Sequence, residues 1–193
     1  MLFVRRTLIR SVVLLTCLLL LAGPAAACVG KTLVIGTLES PRQQVLAQLL
    51  AVLITERTGT TVQLKSFANV KQRHEALLKH DLDMVIEQTG VASSEILGQK
   101  PVEDAEALYQ AVKESYNSEL NLVWLKPLGF RLDGDAAPVV RKDTLKKFPA
   151  LARLINKLGG RIDQQAIAQL EQQAAAQPPE QVARLFLKQN RLI

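Results

Sequence analysis

The chain has 193 residues, 24 of them basic and 18 acidic, with a formal net charge of +6. Three arginines, Arg5, Arg6 and Arg10, belong to an N-terminal leader, and without it the balance falls to 21 basic against 18 acidic, or +3. So small and scattered a charge gives nucleic acid little to bind, and only two cysteines, Cys17 and Cys28, argue against a disulfide scaffold.

The first 27 residues read as a secretory signal. Ser11 to Ala22 is a nearly unbroken apolar run behind the three arginines. As a helix it rises roughly 18 Å, short of the ~30 Å hydrocarbon core, so a cleaved signal is expected rather than a membrane anchor. Gly23 and Pro24 break the run, and Ala25-Ala26-Ala27 offers small side chains for cleavage. The expected location is periplasmic or otherwise extracytoplasmic. Cys28 follows at once and has two readings. It is the acylated cysteine of a lipobox that tethers the protein to a membrane, or the incidental first residue after a simple cut. A typical lipobox has Leu where this chain has Ala25. With Cys17 lost, Cys28 has no partner for an internal disulfide. Residues 28–193 suffice for one well-buried domain.

Lys31 to Gly36 (KTLVIG) is apolar, β-branched and closed by glycine, which predicts a buried strand. Ser40-Pro41-Arg42-Gln43 predicts a helix start, with Ser40 as cap, Pro41 at the first position and Gln43 completing a capping box. Val45, Leu46, Leu49, Leu50 and Leu53 give that helix one apolar face, and Gly59 ends it. Thr61 to Leu64 alternates as a strand. Asn69 opens a second helix through Lys79, with Val70, Ala76, Leu77 and Leu78 inward. Leu82 to Ile86 predicts a third strand. This strand-helix-strand-helix-strand order implies parallel strands joined by right-handed crossovers, an α/β sheet covered by helices.

Val102 to Tyr116 predicts a helix with Ala105, Leu108, Tyr109 and Val112 on one face. Leu122 to Leu125 and Pro138 to Val140 are strand-like. Between them, Asp133-Gly134 is a reversal signal. The remainder reads as helical: Asp143 to Lys147, Pro149 to Leu158, Asp163 to Ala176, and Pro179 to Asn190 with Val182, Leu185 and Phe186 inward.

In such sheets ligands sit beyond the carboxyl ends of the strands. Those ends are Thr37 to Gln43, Phe67 to Val70 and Glu87 to Val91. The cluster Glu87-Gln88-Thr89-Gly90 is either a ligand loop or a turn with Thr89 capping the next helix. Tyr109, Tyr116 and Trp124 either stack on a cation or fill the core. His74 and His80, six apart, fall on different faces of one helix and read as solvated helix-end residues; a metal site from them would need Asp81 or Asp83. No nucleophile elbow, phosphate loop, zinc motif or dinucleotide fingerprint is present, so no enzymatic activity, cofactor or metal is expected.

The run LVIGTLESPRQQVLAQLLAVLITERTGTTVQL resembles the opening of the substrate-binding proteins of osmoprotectant ABC transporters, which bind glycine betaine, choline or carnitine. Gly36 and Gln43 match that family's pattern. ALLKHDLDMVIEQTGV resembles its Gly-x-Ile-Asp strand and Glu-Tyr-Thr-Gly-Thr loop, through Asp83, Glu87, Thr89 and Gly90. VWLKPLGF, APVVRKDTLKKFPALARLINKLGGRID and EQVARLFLKQNRLI are similar to the family's passage into its second lobe, its return, and its last helix. The resemblance implies a type II-like periplasmic-binding-protein fold with a mostly parallel sheet in three layers. It also implies a non-catalytic transport role, an ABC permease as partner, and a quaternary-ammonium or other small solute as ligand. The candidate ligand face is Thr37, Glu39, Ser40, Gln43, Glu87, Gln88 and Thr89.

Two departures matter. The outward segment ends at Phe130 and the return begins at Ala137, so residues 131–136 stand where the family has a whole lobe. The family's cation-walling aromatic positions hold Val85 and Gln88. A lone lobe without that wall is expected to bind a small cation weakly. The competing expectation is a single-lobe interaction module that docks on a membrane partner or on a second copy of itself.

Overall fold

The computed structural model describes residues 32–100, 102–131 and 134–193. The expected signal, the Cys28 lipidation site, and Leu132 and Asp133 of the reversal lie outside the described residues.

Strand β1 (Leu33–Leu38) leads through helix α1 (Pro41–Thr58) to β2 (Val62–Phe67), and then through α2 (Val70–Leu78) to β3 (Met84–Gln88). All three strands run parallel, with β1 between the other two. A single helical turn, Thr89–Val91, runs into a π-helical turn, Ala92–Ile96. Helix α3 (Ala105–Glu119) precedes β4 (Leu122–Trp124). β5 (Ala136–Arg141) then returns antiparallel to both β3 and β4, which gives the order β2-β1-β3-β5-β4. Four strands therefore share one direction and β5 opposes them. The rest is helical: α4 (Lys142–Lys147), α5 (Leu151–Ile155), α6 (Gln164–Ala176) and α7 (Pro179–Gln189).

The sheet separates two apolar layers. Leu33, Ile35, Met84, Ile86 and Val140 face one side, with α1, α5, α6 and α7. Val85, Ala137 and Val139 face the other, with α2 and α3. Successive strand residues alternate between these layers, as a pleated strand requires. Helix α1 was expected to be apolar on one face, but Val45 to Ile54 are buried on nearly every side, Gln48 apart. The reason is that α6 and α7 close over its outer surface, so the helix has no solvent face along that stretch. Helix α7 presents Val182, Ala183 and Leu187 to this contact. Leu185, expected inward, is 52% exposed because that contact uses the neighbouring positions. Leu78 of α2, also expected inward, is 41% exposed.

Asp83 ties the start of the sheet together. Its Oδ2 accepts the Val34 amide at 2.9 Å and its Oδ1 accepts the Thr144 hydroxyl at 2.7 Å, while its own amide donates to Val34 O at 2.8 Å. One carboxylate thus joins β1, β3 and α4. Asp83→Ala should lower the unfolding free energy by about 3 kcal/mol, since two bonds to a carboxylate are lost. Denaturant titration checks this; a loss under about 1 kcal/mol would contradict the clamp.

Candidate ligand site

The carboxyl ends of β1 and β3 place the candidate residues together. Ser40 sits in extended backbone before α1, and its hydroxyl accepts the Gln43 amide at 3.3 Å, with Pro41 starting the helix. The side chain of Gln43 was expected to reach back and close a capping box. Instead its Oε1 accepts a hydrogen bond from Arg73 Nη1 at 3.3 Å. Asn69 caps α2 through the Gln72 amide at 2.9 Å, which sets the helix so that Arg73, one turn in, lies against the sheet.

Arg73 organises the site and was not among the sequence candidates. Its side chain is 1% exposed and its Nη2 donates to Glu87 Oε1 at 2.7 Å, with Glu87 2% exposed. The arginine stem passes over Gly36 of β1. A Cβ built on Gly36 would stand 2.4 Å from Leu82 Cδ1 and 3.1 Å from both Arg73 Cγ and Val85 Cγ1, so the glycine makes room first for Leu82 and lets the arginine stem pack close beside it. The signal available in sequence was spacing: Arg73, Ala76 and Leu77 occupy i, i+3 and i+4, one stripe of one helix.

The other candidates divide. Thr37 is buried at the end of β1, with its hydroxyl 3.4 Å from Leu38 O. Glu39 is exposed, and Ser40, Gln43 and Gln88 are half-buried. Thr89 is fully buried and opens the helical turn instead of capping it; Gln88 holds the cap position. Gly134 of the reversal lies over Thr89, at a φ of +104°, and a Cβ there would come within 2.2 Å of Thr89 Oγ1. Glycine is required at that point by both backbone and space. The site therefore joins Gln43 and Glu87 through Arg73, keeps Thr37 and Thr89 buried, and leaves Glu39 in solvent.

Behind the ion pair stands an aromatic row. His74 meets Tyr116 edge-on at 5.6 Å between centroids, Tyr116 meets Trp124 at 5.4 Å, and Trp124 meets Tyr109 at 6.1 Å. The Tyr109 hydroxyl donates to Leu125 O at 2.7 Å. These rings pack on one another in the core. His74, expected at a solvated helix end, is buried at 5% exposure, while His80 is exposed, 3.8 Å from Asp143. Among the described residues no group of three or more potential metal ligands forms.

Burial pushes the Glu87 carboxyl above its ordinary value, against the opposing pull of Arg73. Burial, with some help from the Glu87 charge, raises the Tyr116 hydroxyl. Burial, and next the positive charge of Arg73, lower His74 to about 4. Arg73 Nε, Glu87 Oε2, His74 Nδ1 and the Tyr116 hydroxyl have no hydrogen-bond partner among the described residues.

The His74 value carries a stability consequence. As the pH falls below 6.5 the unfolded chain protonates this histidine, whereas the folded chain holds it neutral down to about 4. The folded state then binds fewer protons and loses stability across that window, by up to about 3 kcal/mol at ~1.4 kcal/mol per pH unit. His74→Gln should flatten this slope in denaturant titrations run from pH 7 to 4. A variant as pH-dependent as the wild type would contradict the assignment.

A sequence profile of the substrate binding domain of ABC-type glycine betaine transport systems matches residues 31–133 and 129–189. The ergothioneine transport permease/ergothioneine binding protein EgtU of Helicobacter pylori (strain G27) is 29% identical over 110 residues, 55% of this chain and 19% of that protein. The chain thus spans about a fifth of the length of that relative. Among solved structures, a glycine betaine/carnitine/choline ABC transporter protein superposes with a TM-score of 0.79 at 15% identity, covering 83% of this chain and 99% of the other. Apo YehZ from Escherichia coli superposes with a TM-score of 0.76 at 14% identity, covering 85% and 100%. At those identities the structures speak for the fold, and the profile match across most of the chain establishes the family. The chain belongs to the substrate binding domains of ABC-type glycine betaine transport systems.

Proposed function

We propose that this protein is the extracytoplasmic solute-binding component of an osmoprotectant-type ABC import system, reduced to one lobe, and that it catalyses no reaction. The observation that carries this reading is the convergence of Gln43 and Glu87, from the first and third strand units, at the carboxyl end of a sheet with the family's fold. The profile match comes in two segments that meet at residues 129–133, which supports the replacement of the second lobe by the reversal at 131–136. A relative named both as a transport permease and as a binding protein supports a permease partner. No described helix is long and apolar enough to cross a membrane. Acylation of Cys28 would hold the lobe beside that partner, and mass spectrometry of the mature N-terminus decides it.

Quaternary-ammonium solutes are held weakly at most. By the resemblance, Val85 and Gln88 hold the positions of the family's aromatic wall, and each missing ring removes ~0.5 to 2 kcal/mol of cation–π attraction; Val85 is itself buried against α2 and α3. The opposing lobe that would bury most of the ligand is also missing from this reading. Calorimetry with glycine betaine, choline and carnitine should give dissociation constants no tighter than about 1 mM; a micromolar value for any of them would overturn the weak-binding reading.

A second reading, docking on a partner or on a second copy, is favoured by the open end of the sheet. There half-buried Phe67 is flanked by exposed Ala68, Asn69 and Glu39. Sedimentation checks self-pairing, and a strict monomer at high concentration would rule it out.

A further inference from the structure

We propose that Arg73 is a built-in occupant of the ligand site: its guanidinium takes, from within the chain, the place between Gln43 and Glu87 that a small organic cation would otherwise take. The inference rests on the reading above, that these two residues face the ligand.

Three elements bring the groups together. Gln43 comes from α1, Glu87 from β3 and Arg73 from α2, and the guanidinium bonds to both of the others, at 3.3 and 2.7 Å. The arginine stem packs over Gly36, which also makes room for Leu82. An arginine on the inward stripe of a helix is costly to bury unless its charge is met, and Glu87 meets it. A second small cation would have to displace this guanidinium or lie against a buried like charge. Both are unfavourable, and displacement leaves Arg73 buried without its partner.

The same contacts define what the place would accept once vacated. Gln43 Oε1 and Glu87 Oε1 are acceptors, and Glu87 Oε2 is buried with no hydrogen-bond partner among the described residues. Acceptors on an anionic site favour a planar cation that donates hydrogen bonds, the guanidinium class, over a tetraalkylammonium that donates none. Arg73 thus sets specificity by excluding ligand from the lobe as it stands.

The test replaces the tethered cation with a free one. Arg73→Ala is unfolded thermally in 10 mM methylguanidinium chloride, in tetramethylammonium chloride and in sodium chloride at equal ionic strength. The variant should melt below the wild type in sodium chloride and recover by about 3 °C or more in methylguanidinium alone. The wild type should melt alike in all three, and Arg73→Ala/Glu87→Gln should gain nothing. Should Arg73→Ala not fold unaided, its refolding yield with and without methylguanidinium becomes the readout, and an equal yield contradicts the proposal. On the folded wild type, the Arg73 Nε–Hε resonance in 15N spectra should hold its position when choline or glycine betaine is added to 50 mM. A resonance that shifts or vanishes as ligand binds would overturn the occupancy. Micromolar binding with that resonance unmoved would remove the ligand site from Gln43 and Glu87, and so both readings. Failed rescue in a wild type that binds neither solute would remove the occupancy alone.

Discussion

A guanidinium and a carboxylate buried together persist only if their attraction and remaining hydrogen bonds offset the hydration both have given up. The Arg73–Glu87 pair is held on that condition, and much of the carboxyl end of the sheet is arranged around it. Gly36 lets the arginine stem and Leu82 pack close to β1, Asn69 sets the helix that delivers the arginine, and Gln43 supplies a second acceptor. Burial lowers His74 and raises Tyr116, and the pair's charges add to both shifts, Arg73 on the first and Glu87 on the second. Remove either partner and the other is a bare charge in a medium that cannot solvate it.

The reversal between Phe130 and Ala137 bears on the same end of the sheet. Arg131 and Asp135 pair across it, and the Thr89 amide donates to Asp135 O at 3.0 Å. Gly134 covers Thr89 with no room for a side chain. Gly134 and Asp135 thus lie directly on the loop after β3. The geometry fits a domain that keeps the family's scaffold while its ligand side is closed from within.

The parts legible in the sequence were those governed by local period. The three parallel strands, the caps at Ser40 and Asn69, and the two crossovers follow from alternation, helical spacing and cap chemistry. The antiparallel return was legible as a turn but not as a pairing, because the insertion of β5 between β3 and β4 depends on strand order, which no local pattern encodes. Leu185 and Leu78 were placed inward on hydropathy alone, although the helices around them use other faces. At the site, Gln43 and Glu87 were legible as loop-end polar groups. His74 was assigned to a solvated helix end and Arg73 was given no role, and only the stripe shared with Ala76 and Leu77 argued otherwise. The buried partner sat fourteen residues away, on β3.

The central claim is that Arg73 and Glu87 are buried as one unit. A double-mutant cycle reads it most directly, with unfolding free energies for Arg73→Met, Glu87→Gln and the two combined. The account predicts that each single change loses about 3 kcal/mol or more and that the double variant loses at least ~2 kcal/mol less than their sum. Losses that add to within ~0.5 kcal/mol would contradict it.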